Sequence, residues 1–256
     1  MSAATITCAA TFADDTTEIL NGQINLDAAI NVVAEGETDE AGAATMAAIG
    51  SANALTVDVI ERHDIASEQT FSGDVDARAA TRAGIIHGTA VTTASAMGNA
   101  ASVINDNGMD AQIDQTALDG STVSATAELE IGSYAISSVT SATASANAYD
   151  AVSYGGENNH ALRQDSGADV SADSYVLAPT GGLGYAATVL GAANGNSAQI
   201  QGYYMGPDQI ADIDQDNRGS ISARARAESG GGAVSETVAA SANGNSVWMQ
   251  NENGYA

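Results

Sequence analysis

The sequence lacks lysine altogether, and its 256 residues include one cysteine, two prolines and only 4% aromatic residues. Seven arginines stand against 32 acidic residues, which gives a formal net charge of −25. This balance excludes nucleic acid and anionic membrane surfaces as expected partners, because both are bound through clustered cations. The single Cys8 allows neither an intramolecular disulfide nor a cysteine-based zinc site.

Targeting and membrane-spanning signals are also missing. The N-terminus, MSAATITCAATF, lacks the basic region and the long apolar stretch of a secretory signal, and no run of about 18 apolar residues predicts a membrane span. If the protein is exported, we expect this chain to be the mature part with an added Met. Charged residues make up only 15% of the chain, so the composition is not that of a disordered acidic tail.

Small residues dominate instead, and they form an internal repeat. Strings of Ala, Ser, Gly and Asn align on Gly50, Gly98, Ala148, Gly195 and Gly244, which are 47 to 50 residues apart. A second landmark, the first apolar residue after a turn, gives Ile24, Val75, Val123, Val170 and Ile221, with steps of 47 to 51 residues. Two landmarks with a shared period predict five copies of a unit of about 48 residues.

Within each copy the side chains alternate in polarity. In one example, Ile221, Ala223, Ala225 and Ala227 share one face, while Ser222, Arg224, Arg226 and Glu228 share the other. A period of two over such a length is typical of a half-buried strand, and the NG and SGG clusters between strands are turn-forming.

This pattern predicts an all-β fold. We expect a β-solenoid, or β-helix, over 14–256, with about two coils of roughly 24 residues in each unit, preceded by an N-terminal strand or arm over 1–13. A β-propeller is the alternative, because its blades have a similar length. The single Trp248 disfavours it, since blades usually bury an aromatic residue or two.

The strongest candidate for a metal site is DIDQDNRG at 212–219. Asp212, Asp214 and Asp216 have the spacing that begins a calcium loop. However, Gly219 comes late and no glutamate occupies the closing position. We interpret the three acids as the solvated outward face of a strand and expect no metal or other cofactor.

No motif predicts catalysis. His63, His87 and His160 have no metal-ligand spacing and are expected in solvated loops, and the sequence has no GxSxG nucleophile motif. The arginines are dispersed, and no insertion interrupts the repeat to build a cleft. Ice binding would need evenly spaced threonines, but TAVTTASA at 89–96 is not repeated in the other copies. We therefore expect that the protein is not an enzyme.

The strings SAMGNAASV at 95–103, AANGNSAQI at 192–200 and SANGNSVWM at 241–249, together with GQINLDA at 22–28, carry a family resemblance. With the Ala/Thr/Ser alternation and the absence of lysine, they resemble the holdfast attachment protein D family of stalked alphaproteobacteria. The resemblance implies an outer-surface component that anchors the adhesive polysaccharide holdfast to the cell envelope and is secreted through a curli-like outer-membrane pore. It implies no catalytic residues.

The two ends of the chain suggest self-assembly. Near the N-terminus ATITCAATF alternates like a strand, and the C-terminal end carries large apolar side chains where a charged cap would be expected. We predict that molecules join head to tail, with the N-terminal segment adding to a neighbour's sheet. The alternative is that this segment caps its own molecule or frays. The predicted assembly interface comprises Ile6, Cys8, Ala10, Phe12, Trp248, Met249 and Tyr255.

The sequence thus predicts an extracellular structural or adhesion protein, a cell-surface fibre or anchor subunit that attaches the holdfast polysaccharide to the envelope. Its expected partners are further copies of itself, other surface-anchor or outer-membrane secretion components, and a polysaccharide. Its expected location is secreted, at the cell surface and associated with the outer membrane. The alternative is a secreted β-helical protein that binds or degrades carbohydrate.

Overall fold

The computed structural model describes residues 17–203 and 209–252, and their regular structure consists of strands without any helix. The all-β prediction is therefore confirmed. The strands are β1 (Thr17–Ala41), β2 (Ala44–Val59), β3 (His63–Asn105), β4 (Met109–Ala117), β5 (Thr122–Ser153), β6 (Asn158–Ser166), β7 (Asp169–Ala178), β8 (Ala186–Gly202), β9 (Gln209–Asn217), β10 (Ile221–Ser229) and β11 (Ser235–Asn251). The predicted arm over 1–13 lies outside the described residues and stays a prediction.

The strands form one 11-stranded sheet in which every pairing is parallel. Each residue pairs with a residue about one sequence unit away: Ile30 pairs with Val75, 45 residues later, and Val170 pairs with Ile221, 51 residues later. The expected coils of roughly 24 residues are therefore wrong. The chain passes along three strand ladders before it lies beside itself again.

The described chain consists of five successive segments, 17–59, 63–105, 109–153, 158–202 and 209–251, which we number 1 to 5. Each segment contributes one strand region to each of three ladders. Ladder A contains 17–25, 63–71, β4, β6 and β9. Ladder B contains 28–41, 73–86, 122–135, β7 and β10. Ladder C contains β2, 89–105, 137–153, β8 and β11.

The core lies between ladder C and the other two ladders. One apolar cluster joins ladders A and C around Ile113, Leu162 and Tyr149. The other two clusters join ladders B and C and are rich in alanine. Alanine is a poor intrinsic strand former, but its small side chain lets two sheet walls approach closely.

The second sequence landmark is largely confirmed. Val75, Val123 and Val170 are buried and stand in one column of ladder B with Ile221. Its first member was misassigned: Ile30 pairs with Val75, whereas Ile24 is 68% exposed. The reason is that Ile24 lies within continuous strand in ladder A, whereas ladder B begins after Asn25.

The first landmark needs a shift of two residues in two copies. Asn53 pairs with Asn99 and Asn99 with Asn147, so Ala52 and Ala146, not Gly50 and Ala148, stand beside Gly98. The asparagine that follows this position marks the register, because it pairs with its counterpart in the next copy. The preceding glycine is replaced by alanine where space allows.

Gly98 illustrates how tight the core is. A Cβ atom added to Gly98 would lie 2.1 Å from the Phe71 ring, and Phe71 is 1% exposed. In the next segment Ala117 takes the ladder position of Phe71 and Ala146 that of Gly98. Glycine at 98 is thus required by the close approach of a large aromatic ring.

Candidate functional site

A ladder of asparagine side chains runs through all five segments inside ladder C. Each asparagine donates a side-chain N–H to the Oδ1 of the next, with N···O distances of 2.8 to 2.9 Å. Its Nδ2 also donates to a backbone carbonyl of ladder A, as Asn99 does to Thr116 at 3.0 Å. The rungs are Asn53, Asn99, Asn147, Asn196 and Asn245.

A ladder of glutamines faces the asparagines from ladder A. Each Nε2 donates to the Oε1 of the preceding glutamine, at 2.6 to 3.1 Å. It also donates to the carbonyl of the residue after an asparagine rung, as Gln115 does to Ala148 at 3.0 Å. The rungs are Gln23, Gln69, Gln115, Gln164 and Gln215.

The two ladders point in opposite directions along the stack. Asparagine N–H groups point toward segment 5 and glutamine N–H groups toward segment 1. At segment 5 this leaves one Asn245 N–H and the Gln215 Oε1 without a ladder partner among the described residues. At segment 1 the Asn53 Oδ1 and one Gln23 N–H likewise have no ladder partner among the described residues. The open groups on the two ends are therefore complementary.

The two end faces also expose strand edges and apolar side chains. Segments 1 and 5 each have a ladder neighbour on one side only within the described residues. In segment 5, inward-facing side chains of β11 are consequently more exposed than their counterparts in the middle segments, as Val247 is at 50%. Within the described residues, the edge strand β11 of segment 5 has no neighbour beyond it in ladder C, and such an edge offers backbone N–H and C=O groups to a further strand.

The structure places only part of the predicted assembly interface. Trp248 and Met249 lie on β11, each 44% exposed. They face opposite ways, because Met249 pairs with the buried Ile200 and Trp248 with the exposed Gln199. Ile6, Cys8, Ala10, Phe12 and Tyr255 lie outside the described residues.

The acids at 212–216 lie on the outward face of β9 and are exposed, as the sequence analysis expected. A guanidinium already neutralises part of this charge: Arg218 Nη2 is 2.6 Å from Asp165 and its Nε is 3.7 Å from Asp216. In the described part of the chain, no group of three or more His, Cys, Asp or Glu side chains is arranged to hold a metal ion.

A shallow groove lies on the outside of ladder A, and its lining includes Glu18, Asp64 and Asp110 beside several alanines. Asn159 donates to Asp110 at 2.5 Å and Arg62 donates to the same carboxylate at 2.7 Å. These hydrogen bonds hold the pKa of Asp110 below its usual value. Of the three carboxylates, Asp110 is thus held in place by two side-chain donors.

The three histidines were expected in solvated loops, and this is wrong because all three lie in strands. His63 and His87 lie in β3 and His160 lies in β6. The expectation is also wrong for the burial of His160, which is 3% exposed. The sequence misled because His160 directly follows GGENN at 155–159, which resembles a loop, whereas His160 stands in a column with the buried Ala111.

His160 joins a short buried hydrogen-bond chain. Its Nδ1 is 2.9 Å from the Tyr149 hydroxyl and its Nε2 is 3.3 Å from the Gln209 Oε1. Because Gln209 Oε1 can only accept, Nε2 carries the proton and Tyr149 donates to Nδ1. Burial lowers the pKa of His160 and raises that of Tyr149, so both groups are held neutral.

Comparison with known proteins gives one decisive match. The family model described as holdfast attachment protein D matches residues 38–256, most of the chain. The chain belongs to the holdfast attachment protein D family. No curated protein and no solved structure matches it. The described residues contain no helix long and apolar enough to cross a membrane.

The holdfast attachment protein D match includes the whole asparagine ladder and all glutamine rungs except Gln23, which precedes residue 38. Sequence reasoning missed both ladders, although their signal was visible. Asn follows the aligned glycine at 98, 195 and 244, and Gln recurs in IDQ at 113–115, LRQ at 162–164 and IDQ at 213–215. Aligning the copies on amide residues would have found the rungs.

Proposed function

We propose that this chain is a cell-surface anchor subunit that attaches the adhesive holdfast to the cell envelope. Its role is structural and non-enzymatic. Membership of the holdfast attachment protein D family carries this proposal. The fold supports it, because a stack in which each segment bonds to the next through backbone and side-chain amides suits a component that must resist force.

The mechanical argument starts from the amide ladders. In a parallel stack each backbone group pairs with the layer above or below, and ladders of Asn and Gln add further bonds along the axis. Here each interior rung, such as Asn147, makes side-chain bonds to both neighbouring layers and one bond to the opposite wall. Pulling two layers apart would break many hydrogen bonds at once.

We further infer that the five segments wind as a β-solenoid with one turn per unit. With strands about 4.8 Å apart, five layers extend about 19 Å along the axis, so one copy forms a short block. The proposed location is secreted, at the cell surface and associated with the outer membrane. The proposed partners are the polysaccharide, other anchor components and the outer-membrane secretion machinery.

A deletion strain tests the anchoring role. Cells without the chain should still make adhesive polysaccharide but release it into the medium, and fewer cells should remain on a surface. Complementation with the natural gene or with Gly22→Ala, a position with open space around it, should restore attachment. Undiminished attachment in the deletion strain would contradict the proposal.

The non-enzymatic role is tested on the purified chain. Incubated with the polysaccharide of the same cells, it should release no new reducing ends, while binding is measured by co-sedimentation. Time-dependent release of fragments would contradict the non-enzymatic anchor role and would support the alternative, a carbohydrate-degrading protein.

A further inference from the structure

We infer that the segment 5 face of one copy binds the segment 1 face of a second copy, so that the parallel register continues across the junction. Asn245 then donates to Asn53 of the second copy, and Gln23 of the second copy donates to Gln215. This inference deepens the proposed anchor function, on which its biological use rests. It names the second copy as the partner and the two amide ladders as the specificity elements.

The argument begins with the polarity of the ladders. The segment 5 face offers an asparagine donor and a glutamine acceptor, while the segment 1 face offers an asparagine acceptor and a glutamine donor. Head-to-tail stacking satisfies both. Two segment 5 faces packed together would place the open Asn245 N–H groups donor against donor. A contact between unlike faces does not close on itself, so it generates an open filament.

The apolar columns continue across the same junction. Extending the column from Ile30 to Ile221 by one layer places Ile30 of the second copy beside Ile221. In ladder C, the same extension places Val57 of the second copy beside Met249. Met249, which is 44% exposed, would thereby be covered by an apolar partner, and the half-buried Ile221 would gain one of the same type.

The charges on the outward faces are also largely compatible. The extended register sets Arg226 beside Glu35 of the second copy, and it places Arg224 diagonally from the same carboxylate. That diagonal relation already occurs within the chain, where Arg78 contacts Glu128 at 2.9 Å.

The acids of β9 meet no acids in this register. Asp212, Asp214 and Asp216 fall beside Leu20, Gly22 and Ile24 of the second copy. Along ladder B, one like-charge pair arises within the described residues, Glu228 beside Glu37, and Arg226 already contacts Glu228. A chain with a net charge of −25 therefore presents end faces on which repulsion is small.

Two isosteric variants test the junction. Gln23→Glu and Asn245→Asp each replace an amide NH2 group, one N–H of which is open and the other bonded to a backbone carbonyl within the chain, by a carboxylate oxygen that would face an acceptor across the junction. Both keep the oxygen that accepts from Gln69 or Asn196 within the chain. Because an unsatisfied polar contact at a buried junction is costly, each should weaken association of the full chain by about tenfold or more.

Matched controls carry the same charge change without altering the asparagine or the glutamine ladder. Asn31→Asp on β1 and Ser222→Asp on β10 are exposed and face outward. Sedimentation velocity over a range of concentrations measures association, and circular dichroism with thermal unfolding verifies that each variant is folded. The controls should associate like the natural chain.

Mixing the two variants tests the direction of assembly. Gln23→Glu retains a natural segment 5 face and Asn245→Asp retains a natural segment 1 face, so an equimolar mixture should form discrete heterodimers. Three results would overturn the inference: a natural chain that stays monomeric at every concentration, folded variants that polymerise undiminished, or Gln23→Glu alone forming dimers through two segment 5 faces.

Deletion of residues 2–12 separates this junction from exchange of the N-terminal strand. If the faces carry assembly, the deletion variant should still associate and should still be weakened by Asn245→Asp. Loss of association on deletion, with Asn245→Asp without effect in the full chain, would assign assembly to the N-terminal segment instead. Because these measurements use purified chain, their outcome is independent of the attachment assay in cells.

Discussion

Asn99 donates a side-chain hydrogen bond to Asn147 across 2.8 Å, although 48 residues separate them along the chain. The bond exists because the parallel register brings the same position of successive copies into adjacent layers. Each interior asparagine is thereby both donor and acceptor in a chain of amides. The stability of one segment is consequently coupled to that of its neighbours, as in repeat proteins generally.

Replacing an interior rung should therefore cost more than replacing a terminal one. Asn147→Leu removes bonds to Asn99, Asn196 and the carbonyl of Asp165, and at about 1 kcal/mol per bond the expected loss of unfolding free energy is about 3 kcal/mol. Asn245→Leu, at an exposed edge, is the matched control and should cost less. Urea unfolding of a non-associating background such as Gln23→Glu measures both, and equal losses would contradict the ladder model.

Gly98→Ala should destabilise the core through overpacking. The added methyl would lie 2.1 Å from the Phe71 ring and 2.6 Å from the Ala146 carbonyl oxygen, so the expected cost is about 1–3 kcal/mol. Gly22→Ala is the control, because nothing lies within 4 Å of its added methyl. Thermal unfolding compares the two. The double variant Gly98→Ala, Phe71→Leu should recover part of the loss, and a Gly98→Ala protein as stable as Gly22→Ala would disprove the close packing.

Stability should fall as the pH drops below about 6.5, the ordinary pKa of histidine. His160 has a lowered pKa in the folded state because it is buried, so the unfolded chain takes up a proton that the folded chain does not. Its contribution is complete above the unfolded pKa and is lost toward acid, by up to about 1.4 kcal/mol per pH unit. Urea unfolding at pH 7, 6 and 5 measures this slope.

His160→Gln should flatten that slope, since glutamine does not titrate. His87→Gln, which removes a histidine from an exposed position beside Glu40, is the matched control. The comparison isolates His160 from the many carboxylates, which titrate in all three proteins. The same slope in all three would refute the assignment.

Calcium should not raise the melting temperature beyond its effect on ionic strength. Asp212, Asp214 and Asp216 alternate along β9, so the first and third are about 13 Å apart along the extended strand, too far for all three to close around one ion. A titration of calcium chloride against magnesium chloride at equal ionic strength measures this. A saturable rise that is specific to calcium would indicate a bound ion that stabilises the folded state.

Several features followed from the sequence because they depend on local chemistry. Alternation of apolar and polar residues sets which face of a strand is buried, so the inward column of Val75, Val123, Val170 and Ile221 could be predicted before the fold was known. The internal period and the strings around Gly98, Gly195 and Gly244 likewise indicated the family.

Only the tertiary structure decided how the chain returns to itself. A period of two residues predicts which face of the strand each side chain lies on, but it does not predict how many residues separate one layer from the next. The sequence therefore could not distinguish one layer per unit from two. The amide ladders, the burial of His160 and the complementary end faces all arise from that register. Amides bond along the stack only when equal positions lie one strand spacing apart, and that distance is set by backbone pairing across about 48 residues.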